Sequence, residues 1–539
     1  MKASYRDMKE YLRKISNTLI PVVLLAVVTV GCKKEVDSLD PMRMFTPAGD
    51  IKSVSGETQV KLTWNPSLYT TASSGVSYTV EVAADTLFAT PVIVTVQTDT
   101  AGVVFTDEQL EVRTDYYARI RANALGDRPE SKTVVSNRFR IRGEQIFNAM
   151  VDSDVIENAV ILRWRATPGL TKIVVTPTAP AGNPIEVQLT EQDVQAQMKL
   201  VEGLRPSTAY TAEIFRNTSS KGTRTFATKA ATVGGNIIDL TGIANRPTVL
   251  QDTLSQIPSG STVLLKRGRR YEISSTTNLD RSVTIMSENS FNPEMAELYF
   301  TSNFNFTEGS SIDSVVFKSV ALRSDNYSGR YVMNVNKAFT IGKIKFEACR
   351  AEVFRGLVRL TAAGTVVNNF SIANSVVDSL SNYAVLTIDN AEVDVKDIRF
   401  RNSTFYKIER FLTSKAPSRS VLIENCTFSE TPEGSRYLVD YGTNDVSGGI
   451  KVNNSIFGIG KSAGGNRAMN GIRAGSGTLI ESGSSYITAD AVVTADAIPG
   501  ITTYSGTSFA LFRNPKAGDF KLIDANFPGS TNAGDPRWR

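Results

Sequence analysis

The stretch Asp397–Phe405, DIRFRNSTF, is written again as VLIENCTF at Val421–Phe428 and as IKVNNSIF at Ile450–Phe457. Each copy alternates apolar and variable positions, reaches an Asn, passes small residues and ends on Phe. Aligned on that Asn, the equivalents are Ser319, Ala348, Asn374, Asn402, Asn425, Asn454 and Ser482, spaced 29, 26, 28, 23, 29 and 28 residues apart. A period in the twenties carried by short strands is the signature of a solenoid. Two residues earlier stand Phe317, Phe346, Ile372, Phe400, Ile423, Val452 and Ile480; four earlier stand Val315, Ile344, Phe370, Ile398, Val421 and Ile450. Alternation with period two sends both rows to one strand face. A single coil cannot bury that face, but stacked coils can. The Asn suits a left-handed turn after the strand, and stacked Asn side chains can bond one another. The motif therefore reads as architecture.

The same alignment sets the cysteines. Cys349 and Cys426 both follow the aligned position by one residue, three coils apart. At about 4.8 Å per coil they lie roughly 14 Å from each other, too far for a disulfide. Reduced thiols are expected, in a row of small residues with Ser375, Ser403 and Ser455.

A later strand in each coil begins at Arg330, Arg355, Asn382, Arg410 and Arg436, and tyrosines flank it at Tyr331, Tyr383, Tyr437 and Tyr441. Arginines climbing one face at coil spacing repel unless something anionic neutralises them. Either each pairs with a carboxylate or carbonyl of the protein, or the row tracks an acidic polymer through bidentate carboxylate contacts. The tyrosines then stack on sugar rings or fill gaps under loops.

Ahead of the repeats, Asn236 onward reads as a short amphipathic helix followed by a strand. Thr248 and Gln251 have capping-box spacing, and Val249, Leu250, Leu254 and Ile257 share one face. This stretch resembles the N-terminal cap and first coil of pectin-lyase-like right-handed parallel β-helices, in which a helix covers the open end of the stack. Further upstream, short alternating strands separated by Gly, Pro, Asn and Ser turns indicate antiparallel sandwiches. Trp64, Leu110 and Tyr116/Tyr117 in the first, and Trp164, Leu204, Pro206 and Tyr210 in the second, resemble fibronectin type III domains. The expected fold class is all-β: two fibronectin type III-like β-sandwiches, at 45–142 and 143–230, followed by a parallel β-helix with a C-terminal tail at 233–539.

Residues 1–31 read as an export signal, with Lys2, Arg6, Lys9, Arg13 and Lys14 ahead of the apolar run Leu19 to Val30. Twelve residues are fewer than the roughly 20 that span a bilayer. The closing TVGC resembles a bacterial lipoprotein cleavage box, with Thr29 where Leu is usual. Cys32 is then the lipidated anchor, 32–44 a linker, and the expected location the outer membrane at the cell surface.

Composition narrows the chemistry. Formal charge is +5 for 539 residues. The segment before Cys32 carries five bases and two acids, which leaves about +2 for the rest and no nucleic-acid footprint. The chain contains no histidine, so Ser-His-Asp and Cys-His catalysis and His-ligated zinc are excluded. The galacturonan-cleaving hydrolases of the β-helix class use an Asp-Asp pair and a Gly-His-Gly turn, and neither is present. A lyase needs only a Lys or Arg base, often with calcium. Ca2+ is the one cofactor considered, at the acid-rich turns of Asp389, Glu392, Asp394 and Asp397 or of Asp440 and Asp445. No residue is assigned a catalytic role.

The whole arrangement resembles a family of uncharacterised lipoproteins from glycan-harvesting loci of Gram-negative bacteria. The resemblance implies a polysaccharide-binding envelope lipoprotein, partnered by a glycan, by the membrane through its lipid and by other glycan-uptake proteins. The alternative is a polysaccharide lyase acting by β-elimination on uronic-acid glycans, and the third reading is a purely structural envelope protein.

Overall fold

A computed structural model describes residues 43–70, 75–89, 91–231 and 235–539. The signal segment, Cys32 and most of the linker lie outside the described residues. The described residues divide into two compact units: those within 43–148, 163–199 and 210–225 form one, and those within 149–162, 200–209 and 226–539 the other.

The first sandwich sets a three-stranded sheet (Ala48–Ser55, Gln59–Asn65, Gly102–Thr106) against a four-stranded one in the order Val94–Thr98, Tyr78–Ala83, Tyr117–Ala122, Val134–Val135. Its core holds Trp64, Tyr78, Leu110 and Tyr116. Tyr116 Oη accepts the Glu111 N–H at 3.1 Å, which is how a buried tyrosine fixes the corner ahead of its strand. The second sandwich has a four-stranded sheet ordered Ile185–Gln188, Lys172–Ala179, Ala209–Arg216, Ser219–Ala227, and a two-stranded one of Met198–Glu202 and Ala159–Arg163. Trp164, Leu204 and Tyr210 are buried as expected. Both sandwiches are fibronectin type III-like. Within the first unit, Lys221 reaches Asp107 at 2.8 Å and Glu144 at 2.9 Å.

From Ile237 the chain becomes a parallel β-solenoid of three sheets with ten, ten and eight strands. The first sheet runs through Ser311–Lys318, Thr340–Glu347, Val366–Ala373, Asp394–Arg401, Ser420–Glu424 and Ile450–Asn453. Register is as the repeats require: Phe317, Phe346, Ile372, Phe400, Ile423 and Val452 pair in succession, as do Val315, Ile344, Phe370, Ile398, Val421 and Ile450. All are buried in one continuous core.

The repeated Asn position is left-handed, with φ of 52° at Ser319, Ala348 and Asn374, 48° at Asn402, 53° at Asn425 and 49° at Asn454. Asn402 Nδ2 donates to Asn374 Oδ1 at 3.1 Å, and Asn425 Nδ2 to Asn402 Oδ1 at 3.2 Å. In the next row the Cys349 N–H donates to Ser375 Oγ, Ser375 N–H to Ser403 Oγ, and Cys426 N–H to Ser455 Oγ, each at 3.1 Å. Cys349 and Cys426 are free, buried thiols.

Two details differ from expectation. The last coil's left-handed residue is Ser484 (φ 50°), because Asn453 pairs with Gly483 and Ser482 pairs with Val452; Ile480 accordingly stands opposite Ile450. The helix Val249–Leu254 does bury Val249, Leu250 and Leu254, but Thr248 makes no side-chain cap. Gln251 Oε1 instead accepts the N–H groups of Ser274 and Ser275, at 2.8 and 3.1 Å. Among the described residues no helix is long and apolar enough to cross a membrane.

Residues 508–539 fold back over the outside of the second sheet. Leu511, Phe512, Phe520, Phe527 and Ala533 pack on Tyr406 and Ile456. Asp535 accepts from Thr404 Oγ1 at 2.8 Å, and its own N–H donates to Thr427 Oγ1 at 2.9 Å. Trp538 Nε1 donates to Thr404 Oγ1 at 2.7 Å, Arg537 to the Asn374 carbonyl at 2.8 Å and Arg539 to Asn425 Oδ1 at 3.1 Å.

Candidate binding site

Four successive first-sheet strands share a local irregularity. Their buried apolar positions are 312, 315, 317; 341, 344, 346; 367, 370, 372; and 395, 398, 400. A spacing of three and then two leaves two consecutive residues facing outward, so each strand bends there. Gly342 sits at one bend, and a Cβ on it would lie 2.6 Å from the Asp313 carbonyl oxygen. The stacked bends make a concave trough of about 530 Å³, lined by Asp313, Ser314, Gly342, Lys343, Lys345, Asn369, Ser371, Arg399 and Arg401, among others. Its lining combines small residues (Ser314, Gly342 and Ser371) with four bases and one acid.

The bases differ in how they are held. Lys345 pairs with Glu347, Arg401 with Glu424 at 3.1 Å, and Arg399 reaches Asp397 at 3.8 Å and donates to Asn369 Oδ1 at 3.3 Å. Lys343 is exposed and has no ion pair with any described residue. Such exposed pairs are worth about 0–1 kcal/mol, so exchanging a protein carboxylate for a ligand's costs little. Register puts Asp397 beside Asn369, with Lys343 one coil beyond Asn369. Asp397 is buried and accepts from Arg419 Nε at 2.9 Å and Ser420 Oγ at 2.7 Å, and chiefly the Arg419 bond holds its carboxyl down to about 2. It remains a carboxylate, paired with Arg419 next to the trough residue Asn369. The sequence signal for this face was present in KIK at Lys343–Lys345 and RFR at Arg399–Arg401, where bases occupy the outward positions of strands whose inward ones are apolar.

The expected arginine stripe is only partly assembled. Tyr331 pairs with Gly356, setting Arg330 beside Arg355. Val358 pairs with Leu386, an offset that puts Tyr383, not Asn382, across from Arg355. Leu412 pairs with both Leu386 and Val439, so Glu409 falls between Tyr383 and Arg436, while Arg410 stands one place on, across from Tyr437. Most members are already satisfied. Arg330 clasps Asp325 with two bonds, at 2.8 and 3.2 Å. Arg355 donates to Asn382 Oδ1 at 3.1 Å and lies 4.5 Å over the Tyr383 ring, with Arg359 4.6 Å from the same ring. Arg436 has Glu433 at 4.0 Å. Tyr437 donates to Asp496 at 2.9 Å beneath Arg473.

Two tyrosines are corrections. Tyr441 is fully buried and donates to Ser418 Oγ at 3.0 Å, and Tyr331 is buried edge-on to Tyr383 at 5.7 Å, so neither ring is presented to a ligand. The acid-rich turns are likewise engaged: Asp389 holds Arg359 and Lys415, and Asp440 holds Arg473. Among the described residues no group of three or more acidic or sulfur side chains is arranged to hold a metal ion.

The coils that carry both faces match two family models. Residues 269–408 match a domain of unknown function, DUF4957, and residues 421–538 a domain of unknown function, DUF5123. No curated protein matches the chain. Among solved structures it is similar to the FN1–FN3 domains of chicken CNTN1, at 14% identity over 35% of this chain and 68% of that one, with a TM-score of 0.15. It is also similar to a two-fibronectin type III domain segment of chicken tenascin, at 14% identity over 34% of this chain and 99% of that one, with a TM-score of 0.18.

Proposed function

We propose that the protein is an envelope lipoprotein, anchored through Cys32, that binds an acidic polysaccharide on its solenoid within a bacterial glycan-utilisation system. The observation that carries this reading is the trough. It is concave and lined by small residues and by Lys343, Lys345, Arg399 and Arg401 against a single acid, Asp313. It crosses four coils, roughly 14 Å at the spacing of parallel strands, and repeats a pair of cations two coils apart, Lys343 with Lys345 and Arg399 with Arg401. A polymer bearing one carboxylate per sugar fits that repetition better than a neutral one, with the paired bases exchanging partners and Lys343 available from the start. The tandem sandwiches then serve as spacers between anchor and solenoid.

The test is affinity electrophoresis and calorimetric titration with polygalacturonate and with a neutral polysaccharide. Binding of the acidic polymer should weaken as salt rises. Lys343→Gln with Arg399→Gln should lower its affinity about tenfold or more, since each charge-assisted contact is worth roughly 1.5–3 kcal/mol. Equal binding of both polymers, or an unchanged affinity in the double variant, refutes the proposal. Unsaturated uronate products in the same incubation would replace it with the lyase.

A further inference from the structure

Arg410 differs from every other arginine of the stripe. It is half-buried, and it makes no hydrogen bond or ion pair with any described residue. Its Nε is sealed from solvent without an acceptor. A buried polar group without a partner is costly, and a charged one more so. The carboxylates around it are committed elsewhere. Glu409 Oε1 accepts from Lys461 Nζ and from Tyr327 Oη, both at 3.0 Å. Asp440 is held by Arg473 through two bonds of 2.9 Å. Glu433 faces Arg436 at 4.0 Å. The Arg436 guanidinium adds to the burden: after burial, its repulsion is the main influence lowering the Arg410 pKa. Across the ladder from Arg410 stand the small, buried Ala384 on one side and Tyr437 on the other, so Asp440, Glu409 and Glu433 act on it only through space and none accepts a hydrogen bond from it.

We infer that Arg410 and Arg436 form a site for one oxyanion, a carboxylate or sulfate group, at the start of the third-sheet strands. The planar fork of Arg410 supplies the directional donors and the more exposed Arg436 supplies charge. The site is separate from the trough and requires no polymer there. The same chemistry is offered by inorganic sulfate and by the carboxylate of an acidic sugar.

The experiment is thermal unfolding of the Cys32-processed full chain, in sodium sulfate, in sodium glucuronate, and in sodium chloride at matched ionic strength. At about ten times its dissociation constant, a site-bound anion should raise the wild-type Tm by about 2 °C or more over chloride. Arg410→Gln should abolish that rise and Arg436→Gln should reduce it. A rise with sulfate alone identifies a free oxyanion site, and one with glucuronate identifies the sugar carboxylate. In chloride, Arg410→Gln should melt at or above the wild type, because it removes a half-buried cation that no protein group hydrogen-bonds; a purely structural arginine predicts a lower Tm. Equal sulfate and glucuronate responses in wild type and Arg410→Gln, or a lower Tm for that variant in chloride, overturn the inference. Loss of polygalacturonate binding in Lys343→Gln/Arg399→Gln with the anion response intact would overturn neither site.

Discussion

Replacing Asn402 isolates what the repeated motif contributes. Its φ of 48° is left-handed, and its side chain joins two ladder bonds, at 3.1 Å to Asn374 and 3.2 Å from Asn425. Asn402→Ala puts a Cβ residue without a local hydrogen bond into a conformation that costs it roughly 1–2 kcal/mol. It also removes both ladder bonds, each worth about 0.5 kcal/mol at this exposure, near the low end for hydrogen bonds. The sum is about 2–3 kcal/mol. Asn402→Gly loses the same bonds but adopts the turn freely, with a penalty of about 0.4–1 kcal/mol from the looser unfolded chain, for a total of about 1–2 kcal/mol. Glycine should therefore be the milder substitution by about 1 kcal/mol, the reverse of the order in a helix or strand. Urea unfolding followed by far-ultraviolet circular dichroism, comparing midpoints at constant slope, reads this directly. Alanine as stable as glycine would refute the turn argument, and two neutral variants would refute the ladder.

Ala348 already occupies the same left-handed position, at φ 52°. Ala348→Asn should raise stability by about 1 kcal/mol in the same assay, through the turn preference and a new bond toward Asn374. Phe400 is fully buried, 4.5 Å from Phe411, 5.6 Å from Phe405 and 6.1 Å from Phe370; Phe400→Ala should cost about 3–5 kcal/mol, and near-zero loss would contradict the stacked core. The Asp397 carboxyl is lowered from 3.8 to about 2, so its contribution is complete above the unfolded value and disappears as pH falls through the folded one. Wild type and Asp397→Asn should therefore differ in melting temperature at pH 6 and converge near pH 2. Burial pushes the Cys349 thiol up to about 12 and raises Cys426 as well, so neither should react with a thiol reagent at pH 8 until the solenoid is unfolded, as peptide mass mapping would report.

The rows of Phe400 and Ile398 were legible in the sequence because stacking makes every coil solve the same burial problem with the same residues. The left-handed turn was legible for a similar reason, since Asn tolerates it better than most residues and stands at four of the aligned positions. The misplacement at Ser482 came where that constraint weakens. The last coil has no Asn, and in ESGSS several small residues serve equally well. The arginine stripe was aligned by residue type, whereas parallel pairing obeys backbone register, which places Glu409 and Tyr383 among the arginines. Whether Arg330 is available was decided by Asp325, five residues away in a turn that periodicity does not describe. The trough is not legible in a strict period of two. Its cause is a three-residue step, Ile341 to Ile344, that turns Gly342 and Lys343 outward together.

The strap formed by residues 535–539 changes how the solenoid opens. Ladder bonds between coils join residues 23 and 28 positions apart, whereas the strap's bonds span 108 to 163. A stack of coils held only by neighbours frays from an exposed end, one rung at a time. Here the rungs at Asn374, Thr404, Asn425 and Thr427 are fastened to one another from outside, so the middle of the stack yields as a block or not at all. The same separation orders assembly: local coils close early because their loops are short, and the clasp snaps shut last. A protease meeting the newly made chain has until that moment to cut it, and afterwards faces a body with its seam covered.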